Sequence, residues 1–408
     1  MMKKWLILIL LPMSAAYAVS DGEAAEPRRI TLEEALSLAE RAPMAAVLVR
    51  EEDLARAGLR GAGLWPNPEL SLSREEAGGS EDRFADVTIP IPLTGRLSLE
   101  RSAARSRLRA AEARTRQFRM GLLRGGVREA FLELLAAQER ASIVEAALAR
   151  LGELVEVLRA REREGESSGF DRMRAERERA ETEADLMEAR VREAWRRASL
   201  AALLALPSEE IVAAGSMEPS GSLPAAEGVR ALAASRGDIA ALEAEAEGAD
   251  SLARAAKRRV FPEPLLTAGT KTTEAGGASD TGGVLGIAFT LPIFDRGQGT
   301  GAAAKAEAAL FRARREALAR EAEARAQAAL TETKARRAAE AAYSAGGDPE
   351  DLVRIAWAAY DGGEMRILDL LDACRTALSA RLRGVELRLE ARRAEVELNR
   401  VVGEEVVR

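Results

Sequence analysis

The 408-residue sequence contains no histidine. This removes His-based catalytic triads, imidazole general bases and every metal site that needs a histidine. Its one cysteine, Cys374, has no partner for an internal disulfide. Aromatic residues make up 4% of the chain, too few for an ordinary thick core. No Ser-Lys, Cys-His or phosphate-loop arrangement occurs, so the sequence predicts no enzyme, no cofactor and no bound metal. The 66 acids and 60 bases are interspersed, giving a net charge of -6. Without a basic arm or patch, nucleic acid is not an expected partner, and the charge runs read as solvated helix faces.

What is present is helix-forming material. Charged residues reach 31%, and Ala, Glu, Arg and Leu dominate. That mixture predicts long helices with narrow apolar seams. The first 18 residues, MMKKWLILILLPMSAAYA, have a basic start, an apolar core and small residues at Ala16 and Ala18. They read as a secretory signal peptide cleaved after Ala18. No cysteine follows that position, so no lipid anchor is expected there. No later segment approaches the roughly 20 apolar residues of a membrane helix.

One unit occurs twice. WPNPELSLS (65–73) aligns with FPEPLLTAG (261–269), and VTIPIPLTGR (87–96) with AFTLPIFDRG (288–297). Further on, REGESSGFDRMRAE (163–176) aligns with GGEMRILDLLDACR (362–375), placing Gly165 on Gly363 and Asp171 on Asp369. A tail (19–29) thus precedes a first repeat (30–206), a Pro/Gly/Ser-rich linker (207–227) and a second repeat (228–408). Each repeat reads helix, strand pair, long helix, turn, return helix.

Helix is expected from a capping box at Thr31 and Glu34 through to about Leu64. Between 97 and 163 no proline intervenes. Apolar residues from Leu123 to Leu158 step by four and three without a slip, predicting a coiled-coil seam in an unbroken rod of roughly 100 Å. In the second repeat AGGDPED (345–351) breaks the long helix, with Asp348 as N-cap and Pro349 at the first helical position.

Strands are expected at about 69–75, 84–92, 264–272 and 283–292, joined by the polar, glycine-rich loops 75–83 and 272–283. In 284–291, Leu285, Ile287, Phe289 and Leu291 face one way and Gly286, Ala288 and Thr290 the other. Val87, Ile89 and Ile91 likewise oppose Asp86, Thr88 and Pro90. Period two with one apolar face is a half-buried strand. These hairpins are read as the chain's entire β-structure, and the plain alternative is a small sheet packed on the helices. Yet each strand has about the 9–11 residues of a tilted membrane strand. Four strands cannot close a barrel, since the smallest membrane barrels have eight, so copies of the chain would have to share one. Pro92 and Pro292 then end membrane strands, and Trp65 and Phe261 are placed like interfacial aromatics.

These features together resemble the TolC-like outer-membrane efflux proteins over nearly the whole mature chain. The resemblance rests on the signal peptide, WPNPELSLS, the strand ends IPLTGR and LPIFDRGQG, and AAYDGGEMRILDLLDA (358–373). WPNPEL and PIFDRG look most like the cation-efflux branch of the CzcC or CusC type. The resemblance implies a mainly α fold with a small β part. Three chains would give one 12-stranded barrel in the outer membrane and one long α-barrel in the periplasm. It implies a passive duct docked to a periplasmic adaptor and an inner-membrane pump of the RND type.

The same resemblance assigns residues. Asp369 and Asp372, which share a helix face at i,i+3, match the family's pore-aperture aspartates. Tyr360 and Asp171 match its gate network, whose arginine falls at Met365 here, with Arg366 beside it. Gly165 and Gly363 match the tip glycines where adaptor hairpins dock. The plain readings are solvated carboxylates, a seam-packing tyrosine, helix-ending glycines and, for Cys374, a small packed residue. Three functions compete: a duct for small solutes such as metal ions or drugs, the duct of a type I polypeptide-secretion system, and a soluble periplasmic adaptor or coiled-coil scaffold.

Overall fold

The structure, a computed structural model, describes residues 28–407 except 209, 210 and 220. The expected signal peptide and its cleavage position lie outside the described residues, as does most of the tail after it. A short strand β1 (Arg28–Ile30) leads into α1 (Leu32–Ala39) and α2 (Pro43–Gly61). Thr31 and Glu34 form the expected capping box, with the Glu34 carboxylate accepting from the Thr31 N–H at 2.8 Å. The helix does not run on unbroken. Pro43 lacks an N–H and forces Ala42 into extended backbone (φ -67°, ψ 156°), so a new helix starts there.

Strands β2 (Glu69–Ala77) and β3 (Ser80–Pro90) follow, then α3 (Arg96–Phe118). The expected rod is interrupted by a π-helical stretch, Arg119–Arg124. Gly121, Gly125 and Gly126 cluster there, and glycine both weakens α-helix and admits such irregular turns. Beyond it run α4 (Gly125–Glu164) and α5 (Gly169–Leu204). The seam is wider than a coiled-coil stripe. Phe131, Leu132, Ala136, Ile143 and Leu154 are buried alongside the spaced residues, because α4 has neighbours on more than one side.

The second repeat comprises α6 (Ala226–Ala234), α7 (Gly237–Arg258), β5 (Pro264–Ala275), β6 (Ala278–Phe289), α8 (Gln298–Ser344), α9 (Pro349–Asp361) and α10 (Ile367–Val402). Between α8 and α9 the Asp348 carboxylate accepts from the Glu350 N–H at 2.9 Å, and Pro349 opens the new helix. A strand the sequence reading omitted, β4 (Ile211–Ala213), pairs in parallel with β1. Three residues are too few to show alternation. Ile30, Ile211 and Ala213 of this pair are buried in one core with Leu36, Phe131, Leu134 and Leu200.

The other sheet is four-stranded and antiparallel, in the order β2-β3-β5-β6. Its hairpins are tighter than the expected loops. Gly78–Gly79 and Gly276–Gly277 form two-residue turns, all four with positive φ, so the ladders extend to Ala77↔Ser80 and Ala275↔Ala278. Turns needing φ > 0 at both central residues suit the twist of the flanking strands, and glycine enters them without steric cost.

The hairpins α4/α5 and α9/α10 turn at a common end of the molecule. There Leu151, Leu154 and Leu158 pack with Ala175 of α5, Tyr360 of α9 and Ile367 and Leu370 of α10. Elsewhere the contacts are small: Ala110 and Ala113 of α3 meet Ala241 and Ala244 of α7. Alanine lets helix backbones approach closely at little side-chain entropy cost. No described helix is long and apolar enough to cross a membrane.

Candidate functional site

The four-stranded sheet has two chemically distinct faces. Cross-strand register places Leu70, Val87, Ala268 and Leu285 in one row, and Ile89, Leu266 and Ile287 in the next. These side chains are not covered: Leu285 is 89% exposed and Leu70 67%. The opposite face carries Thr88 and Thr267, whose hydroxyls lie 2.9 Å apart, and Asp82, paired with Lys271 at 2.7 Å. Asp86 shares that face, directly opposite Gly269, where any side chain would clash with the Asp86 carboxylate and the Ala85 carbonyl. The outer strands β2 and β6 each have one edge unpaired among the described residues.

The ladder stops where the prolines begin. The Ile91 N–H donates to the Pro264 carbonyl at 2.9 Å, and Pro92 next to it has no N–H to continue. β6 ends at Phe289, three residues before Pro292. Trp65 and Phe261 are 63% and 58% exposed, each just ahead of the first strand of its hairpin. The junction is pinned by Glu263, which accepts from the Thr94 hydroxyl at 2.5 Å and pairs with Arg96 at 3.6 Å.

At the helical end, Gly165 (φ 79°) and Gly363 (φ 78°) close α4 and α9 in the same way. In each case the following residue donates back five positions, Glu166 to Arg161 and Glu364 to Ala359, both at 2.8 Å. That is the Schellman pattern of helix termination. A side chain at either glycine would meet open space within the chain.

Asp369 and Asp372 lie in the first two turns of α10, exposed and on the same side. Arg366 reaches Asp369 at 3.2 Å. Asp171 lies in the first turn of α5 against its N-cap, Ser168: its carboxylate accepts from the Ser168 hydroxyl at 2.9 Å, and its N–H donates to that hydroxyl at 3.3 Å. Tyr360 is 8% exposed and packed in the tip core. Within one chain, no hydrogen bond among the described residues joins Tyr360 to Asp171 or Arg366. Its charged neighbour is Arg161 of α4, whose guanidinium lies 4.9 Å from the ring centre. Arg161 also pairs with Asp361 at 2.9 Å. Sequence reading missed this residue, because an arginine in a charge-rich helix carries no local mark of a tertiary partner.

Further charge pairs cross-brace the tip. Arg375 of α10 grips Glu178 of α5, and Glu350 of α9 lies between Arg150 of α4 and Arg381 of α10. Hydrogen bonds from Arg159 and Arg172 hold the Glu176 carboxyl below its ordinary range. Burial pushes the Cys374 thiol upward, which suits a packed residue rather than a nucleophile. No group of acidic or sulfur ligands among the described residues is arranged to hold a metal ion.

Comparison with known proteins gives this geometry its context. The family model described as outer membrane efflux protein matches residues 229–404. The chain is 30% identical over 390 residues to the cobalt-zinc-cadmium resistance protein CzcC of Cupriavidus metallidurans, covering 93% of this chain and 91% of that protein. The solved outer membrane protein VceC of Vibrio cholerae matches with a TM-score of 0.72 at 21% identity, over 91% of this chain and 96% of that one. CusC matches with a TM-score of 0.73 at 20% identity, over 91% and 92%. The two structures share this fold. The chain belongs to the outer membrane efflux protein family.

Proposed function

We propose that this member of the outer membrane efflux protein family is the exit duct of a tripartite efflux system. The two-faced, open-edged sheet is the observation that carries the reading. Four strands cannot close, and an apolar face this exposed is costly in water. Edge pairing of β2 on one copy with β6 on the next, three times over, gives a 12-stranded barrel with Leu70 and Leu285 towards lipid and Asp82 and Thr267 towards the lumen. Trp65 and Phe261 then sit at the lipid boundary, and Pro92 and Pro292 mark where strand gives way to helix.

The helices extend the lumen into the periplasm as an α-barrel. Asp369 and Asp372 of three copies form the aperture, while Tyr360, Asp171 and Arg366 lie in the ring of contacts around it. Gly165 and Gly363 present bare backbone at the tip, where a periplasmic adaptor docks and joins the duct to an inner-membrane pump of the RND type. The duct itself consumes no energy and transforms no substrate. The resemblance to a protein named for cobalt, zinc and cadmium resistance favours metal cations as cargo. A soluble adaptor or scaffold would not leave these apolar rows exposed.

Fractionation and planar-bilayer recording test this together. The mature protein should enter the outer-membrane fraction as a trimer and form ion-conducting pores when reconstituted. Recovery as a soluble monomer without detergent would contradict the reading.

A further inference from the structure

Beyond the apolar rows of the sheet, towards the hairpin turns, the same face changes character within one row. Arg74 stands directly opposite Arg83, Arg83 opposite Thr272, and Thr272 opposite Thr281. This row of two guanidinium groups and two hydroxyls crosses all four strands. The row below it holds Leu72 and Ala85, and the one below that Leu70, Val87, Ala268 and Leu285. The row above holds three carboxylates, Glu76, Glu81 and Glu274.

Like charges directly opposite across a ladder repel. Two arginines in register therefore need an anion between them. In the isolated chain Glu81 fills that role, held by Arg74 at 2.8 Å and Arg83 at 2.6 Å, with Glu274 at 3.6 Å and Glu76 at 3.7 Å further away. The arginine side chains nevertheless remain 61% and 54% exposed. Exposed ion pairs such as these are weak and screened by solvent. A phosphate, which guanidinium binds bidentately, can displace them. Thr272 and Thr281, whose hydroxyl oxygens are 3.1 Å apart, keep one hydroxyl hydrogen to offer between them.

We propose that this Arg74–Arg83–Thr272–Thr281 row docks the phosphate groups of a phosphorylated glycolipid in the outer leaflet of the outer membrane. The proposal rests on the barrel reading, which turns this face to lipid and the hairpin turns to the cell exterior. A lipid whose acyl chains lie on the leucine rows brings its phosphates to the height of the arginines first. The carboxylate row lies beyond, on the far side of the arginines from the chains. Lys271 and Asp82 project from the opposite face and take no part.

The test uses the purified full-length trimer in detergent, with bisphosphorylated lipid A, the same lipid stripped of phosphate, and phosphatidylglycerol as probes. Native mass spectrometry reads lipid retained, and bilayer conductance is recorded on the same preparation. Bisphosphorylated lipid A should be retained, and an Arg74→Gln, Arg83→Gln variant should need about tenfold more of it, as expected for loss of charged contacts. Arg74→Lys, Arg83→Lys should fall between the two. Equal retention by the glutamine variant, or phosphatidylglycerol held as tightly as lipid A, would overturn the site while conductance persists. A preparation that neither trimerises nor conducts would instead overturn the barrel reading beneath it.

Discussion

The guanidinium of Arg161 lies 4.9 Å from the ring centre of Tyr360, so a residue of the first repeat covers the tyrosine that the second repeat presents at the tip. Arg161 simultaneously pairs with Asp361, the next residue, at 2.9 Å. One arginine thus ties the end of α9 to α4. A cation–π contact and an exposed ion pair each contribute about 0.5–1 kcal/mol. Arg161→Gln loses both and should therefore raise resting conductance roughly five- to thirtyfold, since 1.4 kcal/mol corresponds to a factor of ten. Trimer yield should not change. Unaltered resting conductance in bilayers would mean that the Arg161 contacts do not help hold the tip closed.

The tip glycines give a second prediction. A side chain at Gly363 meets nothing within its own chain, so the cost of substitution there is conformational. Gly363→Ala should lower stability by about 1 kcal/mol through its positive φ. Gly363→Trp should still assemble as a trimer yet fail to support export in cells if, as proposed, an adaptor docks at this tip, because the bulk would then project into its path. Normal metal or drug resistance in cells carrying Gly363→Trp would argue against docking at this end.

The aperture supplies a third. Asp369 and Asp372 from three copies place up to six carboxylates around one constriction in the proposed trimer. Such a ring selects cations, and a multivalent ion can lodge in it and obstruct the pore. Conductance should show a cation preference and a block by divalent or trivalent metals from the periplasmic side. Asp369→Asn, Asp372→Asn should abolish the block and much of the preference while assembling normally. A block that survives the double substitution would return both aspartates to solvated helix surface.

Much of this fold was legible in the sequence. The alternation Leu285, Ile287, Phe289 disclosed the strand, and Asp348 before Pro349 disclosed the break, because each signal is local. What escaped depends on partners distant in the chain. β1 and β4 are three residues each, some 180 residues apart, and only their shared burial explains them. The wider stripe of α4 likewise reflects helices on several sides. The site divides in the same way. Gly165, Gly363, Asp369 and Asp372 could be singled out by repeat alignment and motif, whereas Arg161 could not, because nothing near it in sequence announces Tyr360.

A fourth prediction concerns pH. Glu395 of α10 is almost fully buried, with Arg392 and Arg337 both at 2.5 Å. Burial nevertheless outweighs the two arginines and raises its carboxyl above the ordinary glutamate range. The folded state therefore holds this proton more tightly than the unfolded one. The stability it contributes is complete below the unfolded value of about 4.3 and is lost as pH rises through the folded value. Melting temperatures of parent and Glu395→Gln, measured in parallel from pH 4 upwards, should diverge in favour of glutamine as pH rises. Divergence in favour of the parent would mean that the arginine pairing outweighs burial.

A shared barrel requires three copies to close through the free edges of β2 and β6. With Cys374, the sole cysteine, replaced by alanine, single cysteines can be placed on both edge strands. Ser71→Cys on β2 can be combined in turn with Gly282→Cys, Val284→Cys or Gly286→Cys on β6, which scans the register. Oxidation in isolated outer membranes should give a covalent trimer on denaturing gels for one of these pairs, and none when only one strand carries a cysteine. Oxidation that yields only internally linked monomers in every register, from protein shown to be membrane-inserted, would contradict the shared barrel.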